Sequence, residues 1–213
     1  MFSIRRDSIN DILKKNDYLF TGNIANFGGA KDNFKNPSLT LKRNKNIFIN
    51  NDISTSPDVL CDLEHIPVKD EYFDSFLFLE TLEHVKNPYK VLHEINRTIK
   101  KGAKGIISMP FIYQYHKSPN DFSRWTYEKL ELEIKKSNFE IIKVYYNANL
   151  FGVIFDLTRS YLLNFYPKNI FYKILYNVFK PFKIIFVFLD KIIPKYNAIT
   201  GGHTIIVKKK ING

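Results

Sequence analysis

The stretch from Asp58 to Phe111 reads DVLCDLEHIPVKDEYFDSFLFLETLEHVKNPYKVLHEINRTIKKGAKGIISMPF. Its apolar runs and breaks follow the order strand, acidic turn, strand, helix, strand. Phe73 to Leu79 (FDSFLFL) is nearly continuous in apolar residues, the pattern of a parallel strand buried on both faces. Asn87-Pro88 opens a helix with proline at a tolerated early position. Val91, Leu92, Ile95 and Ile99 give that helix one apolar stripe. Lys100, Lys101 and Gly102 read as its basic last turn and glycine stop. Gly105 to Met109 is the next strand, closed by Pro110. Two of the three strand ends carry acids, Asp62 and Glu80. Open α/β sheets hold ligands beyond the carboxyl ends of their strands, so these acids point to a nucleoside-like ligand without phosphates.

Outward from this stretch, residues 3–17 predict a short polar helix. Phe20 to Phe27 predicts a first strand, which runs into Gly28-Gly29. Residues 31–45 are polar and give a weak helix or a loop. Asn46 to Asn51 is a second strand, ended by Asp52 and the turn-forming STSP, and Asp58 to Cys61 is a third. Downstream, Thr126 can cap a helix running to Ser137, Phe139 to Tyr146 is a strand, and His203 to Val207 is the last strand. Such alternation predicts a doubly wound, mostly parallel α/β sheet. Residues 147–202 are too long for a hairpin connection. Apolar positions 170, 171, 174, 175, 178, 179 and 182 recur there at helical spacing, and Pro181 and Pro194 break the region into short helices. The uncharged stretch from Ile184 to Leu189 is far too short to span a bilayer. The region reads as an amphipathic insert that seeks an interface or caps the core.

A chain of 213 residues is long enough for one α/β domain with a real core. Its single cysteine, Cys61, excludes an internal disulfide and a Cys-rich metal site. Cys61 is expected as a buried structural thiol, and no metal site is expected. The amino terminus has no long apolar run after its basic residues, so a cytoplasmic location is expected. The net charge is +11, and it is uneven. Residues 149–213 hold nine Lys and one Arg against Asp156 and Asp190. This is a solvated face on a Lys-rich protein, or a surface for an anionic membrane or nucleic acid.

Four strand ends are candidates for the site. The first carries Asn26, Gly28 and Gly29, where adjacent glycines let backbone N–H groups approach a ligand. The second carries Asp52, 24 residues after Gly28, close to the roughly twenty-residue offset at which an acid grips ribose hydroxyls. The third carries Asp62-Leu63 and the fourth Glu80-Thr81. Neither a G-x-G-x-x-G nor a G-K-[ST] loop occurs, which disfavours dinucleotides and nucleoside triphosphates.

From Asn23 to Phe111 the chain resembles class I S-adenosylmethionine-dependent methyltransferases of the small bacterial type 11. The resemblance rests on Asp58, Asp62, Ile66-Pro67-Val68, Asp70, Phe73-Asp74, Leu82-Glu83-His84-Val85, Pro88, Glu94-Ile95, Arg97 and Lys101-Gly102. It is strong over residues 58–111 and weaker over 19–57 and 112–147. It implies a Rossmann-like, seven-stranded sheet with an antiparallel last strand, formed by a single domain over residues 1–213, with the insert at 147–202. It also implies S-adenosyl-L-methionine as cofactor. Gly28 and Gly29 would then cradle its methionine part, Asp52 would bind the ribose, Asp62 and Leu63 would hold the adenine, and Glu80 would lie near the methyl-bearing sulfur. Asn26 stands where the family usually has an acid, and two glycines stand where it usually has three.

The segment PFIYQYHKSPNDFSRW (residues 110–125) is similar to a loop found in a subset of these proteins, through His116, Pro119, Asp121, Arg124 and Thr126. His116 is the candidate general base; the bland reading is loop architecture, with Asp121 and Arg124 as an ion pair. Glu83 and His84 fall at the mouth of the site or pack the following helix. The leading expectation is methyl transfer to a small-molecule or glycan-like acceptor by in-line displacement, with peripheral anionic membrane contact through residues 147–196. The alternatives are a non-catalytic binding protein on a degenerate methyltransferase fold, or an RNA methyltransferase. No RNA-binding module supports the latter, and nucleic acid is not expected as a partner.

Overall fold

The structure is a computed structural model that describes residues 3–31, 44–117, 119–166, 169–193, 197 and 199–211. Most of the weak helix or loop expected over 31–45, and Pro194, lie outside the described residues. The strands are β1 (Asn23–Phe27), β2 (Lys45–Asn50), β3 (Val59–Leu60), β4 (Phe73–Leu79), β5 (Ile99–Pro110), β6 (Phe139–Asn147) and β7 (Gly202–Lys209). The helices are α1 (Ile4–Lys15), α2 (Pro88–Thr98), α3 (Tyr127–Lys136), α4 (Leu150–Phe165), α5 (Ile170–Phe179) and α6 (Lys183–Ile192).

All seven strands form one sheet in the order β3-β2-β1-β4-β5-β7-β6. β1 pairs in parallel with both β2 and β4, and β7 runs antiparallel to β5 and β6. The strand order therefore reverses between β1 and β4, which opens a crevice beyond their carboxyl ends. β4 is apolar on both faces because both are covered. Phe76 and Phe78 join Phe27, Phe73 and Phe139 under α2 and α3. Leu77 points the other way, toward Ile9 and Leu13 of α1.

Several boundaries differ from the sequence expectation. β1 starts at Asn23, not Phe20, because Gly22 turns the chain with φ +64° and Asn23 N–H donates to Asp74 Oδ2 at 2.8 Å. α2 stops at Thr98, and Ile99 already pairs with Phe73. The Lys100-Lys101-Gly102 run thus belongs to β5 rather than to a helix end. Cys61 is half-buried, not buried, and burial raises its thiol pKa.

Two carboxylates tie the helices of the insert to one another and to α1. Asp190 of α6 accepts N–H bonds from Asn149, Phe151 and Gly152 at the start of α4, at 2.9–3.0 Å. Asp156 of α4 accepts from Ile4 and Arg5 at the start of α1, at 2.7 and 2.9 Å. Each acid sits where a helix leaves orphan donors and a positive dipole end. α4 packs Phe155 against Phe179 and Phe186, while much of α5 and α6 is left exposed.

Candidate active site

The crevice is built from the ends of β1, β2, β3 and β4. After β1, Gly28 adopts φ +72°, and a Cβ there would lie 2.2 Å from Thr81 Cγ2; only glycine fits. Its N–H donates to Ile49 O at 2.7 Å, so the β1 turn is pinned to β2. Gly29 packs over the buried Asn26, whose Oδ1 would lie 2.2 Å from an added Cβ. Asn26 Nδ2 is buried with no hydrogen-bond partner. Asp52 is exposed at the end of β2 and caps a short 3-10 turn, accepting from Ser54 N–H at 2.9 Å. Those bonds lower its pKa. Asp62 is exposed after β3, with Oδ1 accepting from Glu64 N–H at 2.9 Å. The Leu63 side chain is in the core, so only its backbone could face a ligand.

The loop that carries Asp62-Leu63 is fixed from α2. Arg97 donates to Ile66 O and Val68 O at 2.8 Å each, to Asp70 Oδ1 at 2.6 Å and to Glu94. Glu94 in turn accepts from Ile66 N–H at 3.0 Å. The spacing of Ile66, Val68, Asp70, Glu94 and Arg97 in the sequence thus encodes a clamp. These residues shape the loop rather than contact a ligand.

Glu80 ends β4 with φ +52°, a conformation that is rare outside glycine. Its carboxylate is engaged on both oxygens. Oε1 accepts from Ser108 Oγ at 3.0 Å, and Oε2 pairs with Arg5 of α1. Arg5 is buried, its pKa lowered by desolvation, and its guanidinium lies 4.3 Å over the Tyr113 ring. Arg5 is a site residue that sequence reading missed, since its helix reads only as short and polar.

Beyond β4 and β5 lies a polar cluster. Glu83, in the 3-10 turn Leu82–His84, is fully buried, and desolvation raises its pKa. His84 Nε2 lies 3.6 Å and His116 Nε2 3.9 Å from Glu83 Oε1. Arg124 forms a two-pronged pair with Asp121, which also accepts from His116 N–H at 2.8 Å. The expected ion pair that fixes the loop is therefore present. Phe122 N–H donates to Glu83 O at 2.8 Å and joins the loop to the turn. Burial lowers the pKa of His116, which favours its neutral form. His116 thus stands in a three-residue constellation, not alone. A separate cavity of about 470 Å³, lined by Lys45, Asn46, Ile47, Val68 and Tyr72, lies by the amino-terminal end of β2, away from this crevice.

Residues 38–107 match the family model of a methyltransferase domain. A segment of 46 residues is 46% identical to an uncharacterized protein of Methanocaldococcus jannaschii; it covers 22% of this chain and 22% of that protein. The match therefore spans about a fifth of that relative's length. Among solved structures, a SAM dependent methyltransferase from Archaeoglobus fulgidus is similar with TM-score 0.58 and 14% identity, over 96% of this chain and 94% of that one. Phosphoethanolamine N-methyltransferase 2 of Haemonchus contortus, in complex with S-adenosyl-L-methionine, gives TM-score 0.58 and 14% identity over 96% and 52%. The [4+2]-cyclase SpnF gives TM-score 0.63 and 13% identity over 97% and 82%. At these identities the likeness is one of fold.

Proposed function

We propose that this chain, a class I S-adenosylmethionine-dependent methyltransferase by domain signature and fold, moves the methyl group to a small polar acceptor such as a glycan-like hydroxyl compound. The observation that carries this reading is the juxtaposition at the β1/β4 reversal. Gly28-Gly29, Asp52 and Asp62-Leu63 follow the carboxyl ends of β1, β2 and β3, and Glu83-His84 and His116 follow those of β4 and β5. In this reading Gly28 and Gly29 admit the methionine part, Asp52 holds the ribose hydroxyls, and Asp62 with the Leu63 backbone holds the adenine. Glu80, locked to Arg5 and Ser108, shapes the wall near the sulfur and is not itself free to bind. The acceptor oxygen attacks the methyl carbon, the carbon–sulfur bond breaks in line, and its electrons neutralise the sulfonium. His116, kept neutral by burial, takes the acceptor's proton as general base.

Calorimetric titration with S-adenosylhomocysteine tests the donor half. Binding at one site is expected. A chain that takes up none at millimolar concentration would instead be a non-catalytic protein on this fold, a reading that the buried Asn26 of β1 favours.

The proposal extends to an anionic membrane surface as a peripheral partner. α5 and α6 leave Ile170, Phe171, Ile174, Ile184 and Phe188 exposed, with Ile184 at 77%. Lys173, Lys180 and Lys191 are exposed among them. Apolar anchors flanked by lysines suit the headgroup boundary. Among the described residues no helix is long and apolar enough to cross a membrane.

A further inference from the structure

We infer that Glu83, His84 and His116 form a binding site for a divalent first-row transition-metal ion of the zinc type. The ligand set stands on its own geometry; the role given to the ion below rests on the methyl-transfer reading.

The first observation is Glu83. Its side chain is 0% exposed, and neither carboxylate oxygen has a hydrogen-bond partner. A buried carboxylate without a counter-charge is strongly disfavoured. The nearby guanidiniums are committed elsewhere, Arg5 to Glu80 and Arg124 to Asp121. Glu83 is therefore left to hold either a proton or a bound cation.

The second is how the imidazoles are aimed. Both turn Nε2 toward the same oxygen, Glu83 Oε1, at 3.6 and 3.9 Å. These separations are too long for hydrogen bonds. They are close to the ligand-to-ligand edge of about 3.3 Å in a zinc tetrahedron with bonds near 2.0 Å. One donor atom from each residue fits within a span of 4.8 Å.

The third is what holds the rings. His84 Nδ1 donates to Asn120 O at 2.5 Å, and His116 Nδ1 to Gln114 O at 3.3 Å. Arg124 Nη2 also lies 3.3 Å from His116 Nδ1. Its two hydrogens, however, are directed to Asp121 Oδ2 at 2.7 Å and Gln114 O at 3.2 Å. With Nδ1 protonated on both rings, each Nε2 keeps its lone pair for an ion. A backbone carbonyl behind each ring is the usual support of a metal-bound histidine.

Three protein ligands leave a coordination position open. The His116 side chain is 30% exposed, so solvent or an acceptor can reach it. An acceptor hydroxyl ligated there would lose its proton to solvent, and its oxygen would then attack the methyl carbon as the electrons of the breaking carbon–sulfur bond pass to sulfur. His116 would serve as a ligand in place of the general base expected from sequence. The expectation of no metal site is revised with it.

The test uses the full chain, stripped with a chelator and titrated with Zn²⁺ by calorimetry and with Co²⁺ by visible absorption. A single ion per chain is expected, with Co²⁺ bands typical of nitrogen and oxygen ligands. His116→Ala and His84→Ala should each weaken binding by about 100-fold or more. Glu83→Gln should do the same, and a thermal melt would show whether it folds. His93→Ala, an exposed histidine on α2, should leave binding unchanged. No uptake, or uptake indifferent to His84 and His116, overturns the inference. S-adenosylhomocysteine is titrated into the same samples. Cofactor binding without metal binding overturns the ion site alone, and metal binding without cofactor binding overturns the donor reading alone.

Discussion

Arg5, near the start of the first helix, is buried in an ion pair with Glu80 at the carboxyl end of β4. The pair couples a peripheral helix to the wall of the cofactor crevice. Arg5 is oriented from the insert side as well, because Asp156 of α4 holds its backbone N–H. Truncating one partner of a buried pair leaves the other charge uncompensated, which costs roughly 3–5 kcal/mol. Arg5→Ala should therefore destabilise the fold by about that much in urea titration. Arg5→Met with Glu80→Gln should recover most of it, because the uncompensated charge is then gone. A single variant as stable as the parent would show that the pair is energetically idle.

Asp52 is exposed, so its loss should be felt in binding rather than in folding. A charged acceptor gripping ribose hydroxyls is worth about 1.5–3 kcal/mol, which corresponds to roughly 10- to 100-fold in affinity. Asp52→Ala should weaken S-adenosylhomocysteine binding by that factor in calorimetry. Asp52→Asn retains an oxygen to cap the Ser54 turn and separates the charge from the cap. Unchanged affinity in Asp52→Ala would remove this residue from the site.

The sheet was legible because FDSFLFL admits few other readings, and β4 occupies Phe73–Leu79 as expected. That Gly28-Gly29, Asp52, Asp62 and Glu80 follow strand ends was legible too, since strand ends and turn chemistry are local signals. The end of α2 was not. Lys100-Lys101-Gly102 is a sound helix stop in isolation, but Tyr72 N–H donates to Thr98 O at 2.8 Å and Phe73 pairs with Ile99. A tertiary strand pairing overrides a local signal. Arg5 and the convergence of His116 on Glu83 were invisible for the same reason. They depend on where two distant segments meet, and neither has a local pattern.

His203 on β7 gives the stability a pH dependence. It packs among Phe111, Tyr127 and Tyr146, with centroids 5.5–6.2 Å away, and neither ring nitrogen has a hydrogen-bond partner. Burial pushes its pKa down to about 4 from 6.5. Above pH 6.5 both native and unfolded chains hold it neutral, so it imposes no penalty. Between 6.5 and 4 the unfolded chain binds the proton first, and stability falls as pH falls. The loss at full extent is roughly 3 kcal/mol. Melts across that window should steepen toward acid, and His203→Leu should remove this part of the slope. A parental profile retained in His203→Leu would assign the acid sensitivity to other groups.

The insert makes a prediction about surfaces. Burying exposed apolar side chains of α5 and α6 at a headgroup boundary gains free energy in proportion to area. Each lysine near an anionic surface adds about 1 kcal/mol at physiological ionic strength. The two contributions respond differently to conditions: salt screens the lysines within a Debye length of about 8 Å but leaves the apolar anchors in place. Co-sedimentation with vesicles containing phosphatidylglycerol should therefore be strong at low salt and reduced, not abolished, at high salt. Ile174→Glu with Ile184→Glu should abolish it at both, while S-adenosylhomocysteine binding persists. Failure to sediment with any vesicle would leave α5 and α6 as a roof over the acceptor rather than a membrane contact. Equal sedimentation with neutral vesicles would remove the anionic surface as the partner and assign the contact to the apolar anchors alone.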